Sequence, residues 1–447
     1  MNGYLYPLVS LSLIASAAHT EPTHHGTKHF EGVSSDGAKW AADVPENWNG
    51  TLLYHSRGGN PASKDPPVEA PKGSAPILLD HGYAIAGTTF NTAGWNPAGG
   101  AQVQFTALPF IVKAIGKPKH VINLATSYGG GVGAQEAERT RGEIDGAVLT
   151  CGLIVGGIDL MNEQLDGLHV IATLLSPGKP ITLVNLKDAE GVKASAIALT
   201  AAVRAASLTP EGRARLALAA ALMYIPTWHD GPKPDAGDTD AQAAQQAKWL
   251  GADPGPDVGS FGFIQGSRLD IEMQSGGNPS WNQGVDYAAL LKNNASRGLV
   301  EALYRKAGLS LTQDLAQLTK AADVQAQPKS VAWMRRTSVP SGALRVPVLA
   351  MQTSGDPVAP PESLSLYTAR VSGQHKLALL RTTVVDRPGH CSFNPPEILA
   401  AADAMRARLD RGAWGALATP ASLNKSAGPS AMFIADRHHP FTSRLKP

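Results

Sequence analysis

Short apolar runs bounded by turn residues open the chain, and long Ala-rich stretches at helical spacing fill its middle before the short runs return. Lys28–Gly32, Ala38–Asp43 and Thr51–Tyr54 read as strands that begin a sheet. Asn60 to Ser74, rich in Pro and charge, reads as a surface loop. Gly82–Phe90 starts a fourth strand, Gln102–Ile115 a helix, Val121–Ala125 another strand, and Gly146–Cys151 the strand after the following helix. Two further strands lie far downstream, at Val346–Gln352 and Leu377–Val384. The span from Cys151 to Val346 is much longer than a helical crossover between neighbouring strands requires. Its runs Ser195–Ser207, Pro210–Met223, Asp238–Leu250, Tyr287–Lys292, Gly298–Ala307 and Thr312–Ala322 read as helices by propensity and spacing, and Thr209-Pro210-Glu211 is a helix start. Beyond Arg411 the polar, Pro-containing tail reads as irregular.

Chemistry enters at Ser127, where an apolar strand turns through Thr126-Ser127-Tyr128-Gly129 into a helix that begins with Gly130, Gly131, Gly133 and Ala134. Small residues on both sides of a serine at a strand-to-helix turn form a nucleophile elbow, which exposes the hydroxyl at the sheet edge. The usual Gly-x-Ser-x-Gly pattern has Ala125 in its first position here. Two partners follow in the order Ser, acid, His. Asp356 comes directly after the strand at Val346–Gln352, in a Gly/Pro turn, and His390 sits in the loop after the last strand. Asp386 is a weaker candidate acid. On these motifs the chain, from Lys28 to Arg408, resembles the α/β-hydrolase superfamily. More closely, the segment Gly276–Tyr287 resembles one in secreted bacterial hydrolases with a large helical cap.

That resemblance implies a mostly parallel sheet flanked by helices, with a helical cap inserted over the nucleophile. The corresponding division is a leader over 1–18, a core over 19–152, a cap over 153–340, the rest of the core over 341–411 and a tail over 412–447. The expected roles are Ser127 as nucleophile, His390 as base then acid, and Asp356 as orienting carboxylate. The oxyanion would be held by the N–H of Tyr128 and by amides near Arg57 and Gly58, with His81-Gly82 as a rival. His55, Trp281, Tyr287 and Arg268 are candidate substrate contacts. For each a structural role competes: an ordinary buried histidine for His55, core packing for the aromatics, and for Arg268 an ion pair with Glu272 one turn on.

The expected reaction is hydrolysis of a small-molecule or oligomeric carboxylic ester through an acyl-enzyme, without a metal or other cofactor. An aminopeptidase of the same fold is the first rival and would need acids such as Glu272 and Asp286 to hold a substrate ammonium. A non-catalytic binding protein is the second. An oxidoreductase is disfavoured, because Gly129–Gly131 lacks the dinucleotide phosphate turn. A net charge of +2 gives no reason to expect a nucleic-acid or membrane-surface partner, and no apolar stretch after the N-terminus is long enough to span a bilayer. Leu5 to Ala18, ending in small residues, reads as a secretory signal peptide, although a basic segment before it is missing. The chain has two cysteines, Cys151 at the end of a strand and Cys391 beside His390, and a bridge between them is feasible in an oxidising compartment. The tannase and feruloyl-esterase family carries cysteines beside both Ser and His. Only the His side matches here, so that family's substrates are not carried over.

Overall fold

The computed structural model describes residues 26–59, 68–91, 94–437 and 439–445. The proposed leader and most of the Asn60–Ser74 loop lie outside them. The first part of the chain contains β1 (Thr27–Val33), β2 (Lys39–Pro45), β3 (Thr51–Ser56), α1 (Ala75–Asp80), β4 (Ala84–Thr88), α2 (Pro97–Ile115), β5 (His120–Thr126), α3 (Tyr128–Arg139) and β6 (Gly146–Thr150). After the long helical segment come β7 (Val348–Gly355), then a helix over Glu362–Gly373, then β8 (Leu380–Pro388).

These strands join one sheet in the order β1-β2-β4-β3-β5-β6-β7-β8, closed at its far edge by a short ninth strand. From β4 to β8 the pairings are parallel, while β2 runs antiparallel to β1 and to β4. That order, with a strand-turn-helix serine after β5, is the α/β-hydrolase fold. The central strands are buried on both faces, which explains why they read as unbroken apolar runs rather than alternating ones. In a parallel sheet every loop that follows a strand emerges at one edge. Ser127, Asp356 and His390 follow β5, β7 and β8 and are therefore gathered there.

Between β6 and β7 lie nine helices: α4 (Gly157–Val170), α5 (Ala189–Ser207), α6 (Pro210–Leu222), α7 (Thr239–Trp249), α8 (Gly259–Ser275), α9 (Tyr287–Lys292), α10 (Arg297–Lys306), α11 (Leu311–Ala321) and α12 (Pro328–Thr337). They enclose a core of their own, with Leu199, Val203, Leu218, Phe261, Val300 and Leu318 buried together. α6 is hidden on nearly every side and packs against α4, α5, α7 and α10, so its Ala-rich run serves close helix approach.

Several elements differ from the sequence reading. α4, α8 and α12 were not anticipated. α4 mixes buried Asp, Asn, Glu and His with apolar residues, and α8 contains Gly262 and Gly266, so neither shows a clean amphipathic period. Leu377–Leu379 is a 3₁₀ turn, and β8 starts later and extends through Asp386. The tail beyond Arg411 is not irregular. α13 (Glu362–Gly373), already placed after β7, is followed past β8 by α14 (Pro395–Arg411), α15 (Pro420–Ala427) and β9 (Phe433–Ile434), which pairs antiparallel with β8. The Asn424 side chain makes that two-residue strand possible by donating to Phe433 O at 2.9 Å and accepting from Phe433 N at 2.8 Å. Among the described residues no helix is long and apolar enough to cross a membrane.

Candidate active site

The β5–α3 junction places Ser127 at φ +56°, ψ −120°, a backbone conformation that costs a non-glycine residue energy and persists only when its surroundings hold it. Three backbone bonds do so: Ser127 N to Thr150 O at 3.0 Å, Leu153 N to Ser127 O at 3.1 Å and Gly130 N to Ser127 O at 2.9 Å. α3 then lies against neighbouring backbone. A Cβ on Gly129 would stand 1.9 Å from Ser56 O, and one on Gly130 would stand 2.3 Å from Gly152 Cα. The alanine in place of the usual first glycine is accommodated across the interface. The Ala125 methyl points at Gly133, where any side chain would begin 2.7 Å away.

Ser127 Oγ is 2.8 Å from His390 Nε2, and His390 Nδ1 is 2.9 and 2.8 Å from the two Asp356 oxygens. The Asp356 carboxylate is completely buried and accepts from Val358 N and Ala359 N, each at 2.8 Å, and from Cys391 N at 3.4 Å. A carboxylate held by backbone donors can only accept, so Nδ1 carries the imidazole proton and Nε2 is left to accept from the serine hydroxyl. The two loops are tied to each other by Gly389 N to Gly355 O at 2.9 Å and by Thr353 Oγ1 to Gly389 O at 2.8 Å. A disulfide joins Cys151 to Cys391 with their Cα atoms 5.1 Å apart, fastening the histidine loop to the end of β6. Among the described residues, Cys151, His390 and Cys391 also cluster at metal-ligand spacing. The two sulfurs are bonded to each other and offer no thiolate, so the cluster does not fit a metal.

Tyr128 is the first residue of α3, so its N–H points out of a helix N-terminus beside Ser127, where negative charge is favoured. Gly58 packs against the serine from the other side. A Cβ there would lie 2.7 Å from Ser127 Cβ and 3.4 Å from its Oγ. The Arg57 carbonyl is turned toward α3, 2.6 Å from where a Gly129 Cβ would stand. His81-Gly82 lies at the amino end of β4, the opposite edge of the sheet, where Gly82 O accepts from Asn49 N at 2.7 Å. The rival oxyanion loop is therefore remote from the serine.

Of the candidate substrate contacts, His55 lies next to the serine turn, its Nε2 3.5 Å from Thr126 Oγ1, and the others sit elsewhere. His55 is 5% exposed within β3, and burial lowers its pKa to about 4 against a raising contact from the Glu69 backbone, so the ring is neutral. Tyr287 is fully buried in the helical layer, with its ring stacked on His169 and its hydroxyl donating to Asp166 at 3.0 Å. Arg268 is enclosed as well. It donates to Ser280 Oγ at 2.8 Å and Met161 O at 2.9 Å, with Glu272 at 3.9 Å. Trp281 lines a shallow groove beside Gln325 and Val331 and packs against the apolar cluster that holds Tyr128. The structure brings none of Tyr287, Arg268 and Trp281 to the Ser127–His390 pair. Glu272 accepts from the backbone of Asn185 and Leu186, and Asp286 caps α9, so the acids required by the aminopeptidase reading are engaged in structure. Asp386 is held by Lys233 at 2.7 and 2.8 Å and by Ser354 at 2.8 Å, apart from His390.

One contact had no sequence signal. The Trp228–His229 turn of the helical insert presses on both loops. Trp228 O stands 2.1 Å from where a Gly355 Cβ would be, and His229 O stands 3.7 Å from one on Gly389. Tyr128 is similarly boxed by Phe90 and Trp95, edge-on at 6.0 and 5.4 Å, and its hydroxyl accepts from Asn96 N at 3.1 Å.

No family model matches the chain. An o-phthalyl amidase of Xanthobacter agilis is 29% identical over 436 residues, spanning 90% of this chain and 92% of that protein. Among solved structures, an esterase from Aspergillus oryzae covers 86% of this chain and 80% of its own length at 14% identity and a TM-score of 0.39. A proline iminopeptidase of Mycobacterium smegmatis covers 86% of this chain and 100% of its own length at 14% identity and a TM-score of 0.38. The fold assignment rests on strand order and the serine turn, and the full-length likeness to the amidase supports hydrolase chemistry as the coarse activity.

Proposed function

Taking the chain as an α/β-hydrolase, we propose that it is a serine hydrolase of carboxylic acyl bonds, acting on carboxylic esters through an acyl-enzyme. The observation that carries this reading is the unbroken hydrogen-bonded series from Ser127 Oγ through His390 to buried Asp356. Ser127 Oγ attacks the carbonyl carbon as His390 Nε2 takes its proton. Asp356 stabilises the imidazolium that results. The Tyr128 N–H, with backbone at Gly58, receives the charge developing on the carbonyl oxygen. His390 then protonates the departing oxygen or nitrogen, leaving the acyl group on Ser127. Water deprotonated by His390 releases the acid and restores the serine.

A second reading, hydrolysis of an amide of an aromatic acid, is favoured by the amidase relative that spans nearly the whole chain. It uses the same residues and differs in demand, since an amine leaves only after His390 has protonated it. We also propose export to an oxidising compartment. The Cys151–Cys391 bridge supports it, as does the small-residue end of the Leu5–Ala18 segment.

Labelling with a fluorophosphonate, followed by mass spectrometry, tests the nucleophile: the wild type should be modified on Ser127 and Ser127→Ala should not. Modification at another residue would sink the assignment. Rates on nitrophenyl esters of rising acyl length, set beside phthalamic acid amides and aminoacyl anilides, separate the readings. Turnover of aminoacyl anilides alone would overturn both.

A further inference from the structure

A cavity of about 330 Å³ lies next to the acid and histidine loops without including Ser127, Asp356 or His390. That volume is within the range of small-molecule sites. Four parts of the chain wall it: the insert with Tyr224, Trp228 and Leu299, the end of β7 and start of α13 with Ser354 and Glu362, the sheet edge with Val384 and Asp386, and the tail from Ile434 to Arg437. The walls are mixed, with the Trp228 indole, Leu299 and Val384 supplying apolar surface.

The charges in the cavity favour one sign of ligand. Two cations, Lys233 and Arg437, line the cavity, and both act at the Asp386 end of it: Lys233 reaches the two Asp386 oxygens at 2.7 and 2.8 Å and lies 4.8 Å over the Trp228 ring, and the Arg437 charge lowers the pKa of the same carboxyl. Glu362, in the first turn of α13, also lines the cavity. Its pKa is pushed up to about 7 by burial, opposed by its own backbone N–H and reinforced by the charge of Asp436. Glu163 stands behind it in an adjoining pocket that shares Tyr224 and Asn294. Glu163 is 6% exposed, and its Oε2 has no hydrogen-bond partner among the described residues. Burial and the neighbouring carboxylates Asp159, Glu362 and Asp166 all disfavour its ionised form. An anion entering here would meet a second unfavourable field, whereas an ammonium would supply the donors and the charge that this wall lacks.

We propose that this cavity is a second binding site, for a small organic amine in its ammonium form that carries an apolar or aromatic body. The ammonium head meets Glu362 and the Asn294 side, and the body lies along Trp228, Leu299 and Val384. The site does not depend on the proposed reaction. It adjoins that reaction through Ser354, two residues before Asp356, and through Trp228, whose carbonyl abuts Gly355.

Calorimetric titration of the full chain with benzylammonium, and separately with benzoate and benzyl alcohol, tests the proposal. Benzylammonium should bind saturably at one site, more tightly than either control, and should still bind after Ser127 is blocked by the fluorophosphonate. Glu362→Gln should weaken it about tenfold or more, the loss of one charge-assisted hydrogen bond. Leu299→Trp, which fills the cavity without altering charge, should abolish binding. Benzoate binding as tightly as benzylammonium, loss of binding on blocking Ser127, or unchanged affinity in Leu299→Trp would each overturn the proposal.

Discussion

Removing the bridge between Cys151 and Cys391 should cost both stability and turnover. The double substitution Cys151→Ser with Cys391→Ser isolates the cross-link, because both positions have positive φ, +45° and +57°, in which serine is no better placed than cysteine. The bridged residues are 240 positions apart. Loop-closure entropy for so long a loop corresponds to an upper value of about 5 kcal/mol at 25 °C, and measured losses more often fall at about 2–4 kcal/mol. Activity suffers separately. Cys391 N–H bonds Asp356 at 3.4 Å, and the same residue follows His390, so a loosened loop degrades the geometry at Nε2. A displacement near 1 Å at a reacting group lowers kcat by about 10²-fold. Urea unfolding followed by tryptophan fluorescence, with and without dithiothreitol, measures the first effect, and ester turnover below the unfolding transition measures the second. The reduced wild type should behave like the double variant, and the variant should ignore the reductant. A variant with an unchanged urea midpoint and unchanged kcat would refute the bracing role.

Gly58→Ala should lower kcat by about 10²-fold or more, because the added methyl would stand 2.7 Å from Ser127 Cβ and 3.0 Å from Thr126 O and so must displace the serine. Equal kcat would show that this close approach does not hold Ser127 in its working position. Gly133→Ala should destabilise by about 1–3 kcal/mol, since its methyl would lie 2.4 Å from Asn123 Oδ1 and 2.7 Å from Ala125 Cβ; adding Ala125→Gly should recover part of that loss, and strictly additive effects would argue against the contact. Glu136, fully buried on α3 with neither carboxylate oxygen bonded among the described residues, has its pKa raised well above normal by burial and then by Glu143. The folded state binds that proton more tightly than the unfolded chain, so stability is lost as pH rises above the unfolded value. Glu136→Gln should therefore raise the thermal midpoint more at pH 8 than at pH 5, and an equal shift at both would contradict this linkage.

Much of the site was legible because its parts are local signals placed by a regular sheet. The apolar run before Ser127, the Gly/Pro turn at Asp356 and the loop at His390 each follow a strand, and parallel pairing brings strand ends together whatever the intervening sequence. The bridge from Cys151 to Cys391 was open because the order β6-β7-β8, which sets the loop after β8 near the end of β6, is a long-range fact. Side chains in the insert were less readable. Arg268 and Tyr287 stand in unusual local sequence, but their partners Met161 and Asp166 come from α4, a helix whose buried polar residues hide its period. The Trp228–His229 turn lay beyond sequence reading altogether, since it acts through backbone carbonyls.

The pairing of Ala147 with Val348 also has a consequence during synthesis. When a ribosome has made the chain only as far as β6, that strand is an edge with its ladder groups facing solvent. It stays so until the whole helical insert has been translated and β7 arrives. An apolar, two-sided edge of this kind templates pairing with other nascent chains. Fragments ending within the insert should therefore accumulate as aggregates, and slow translation through α4–α12 should lower the yield of soluble protein. A chaperone that holds the β6 edge during that interval would act on the step that limits this fold.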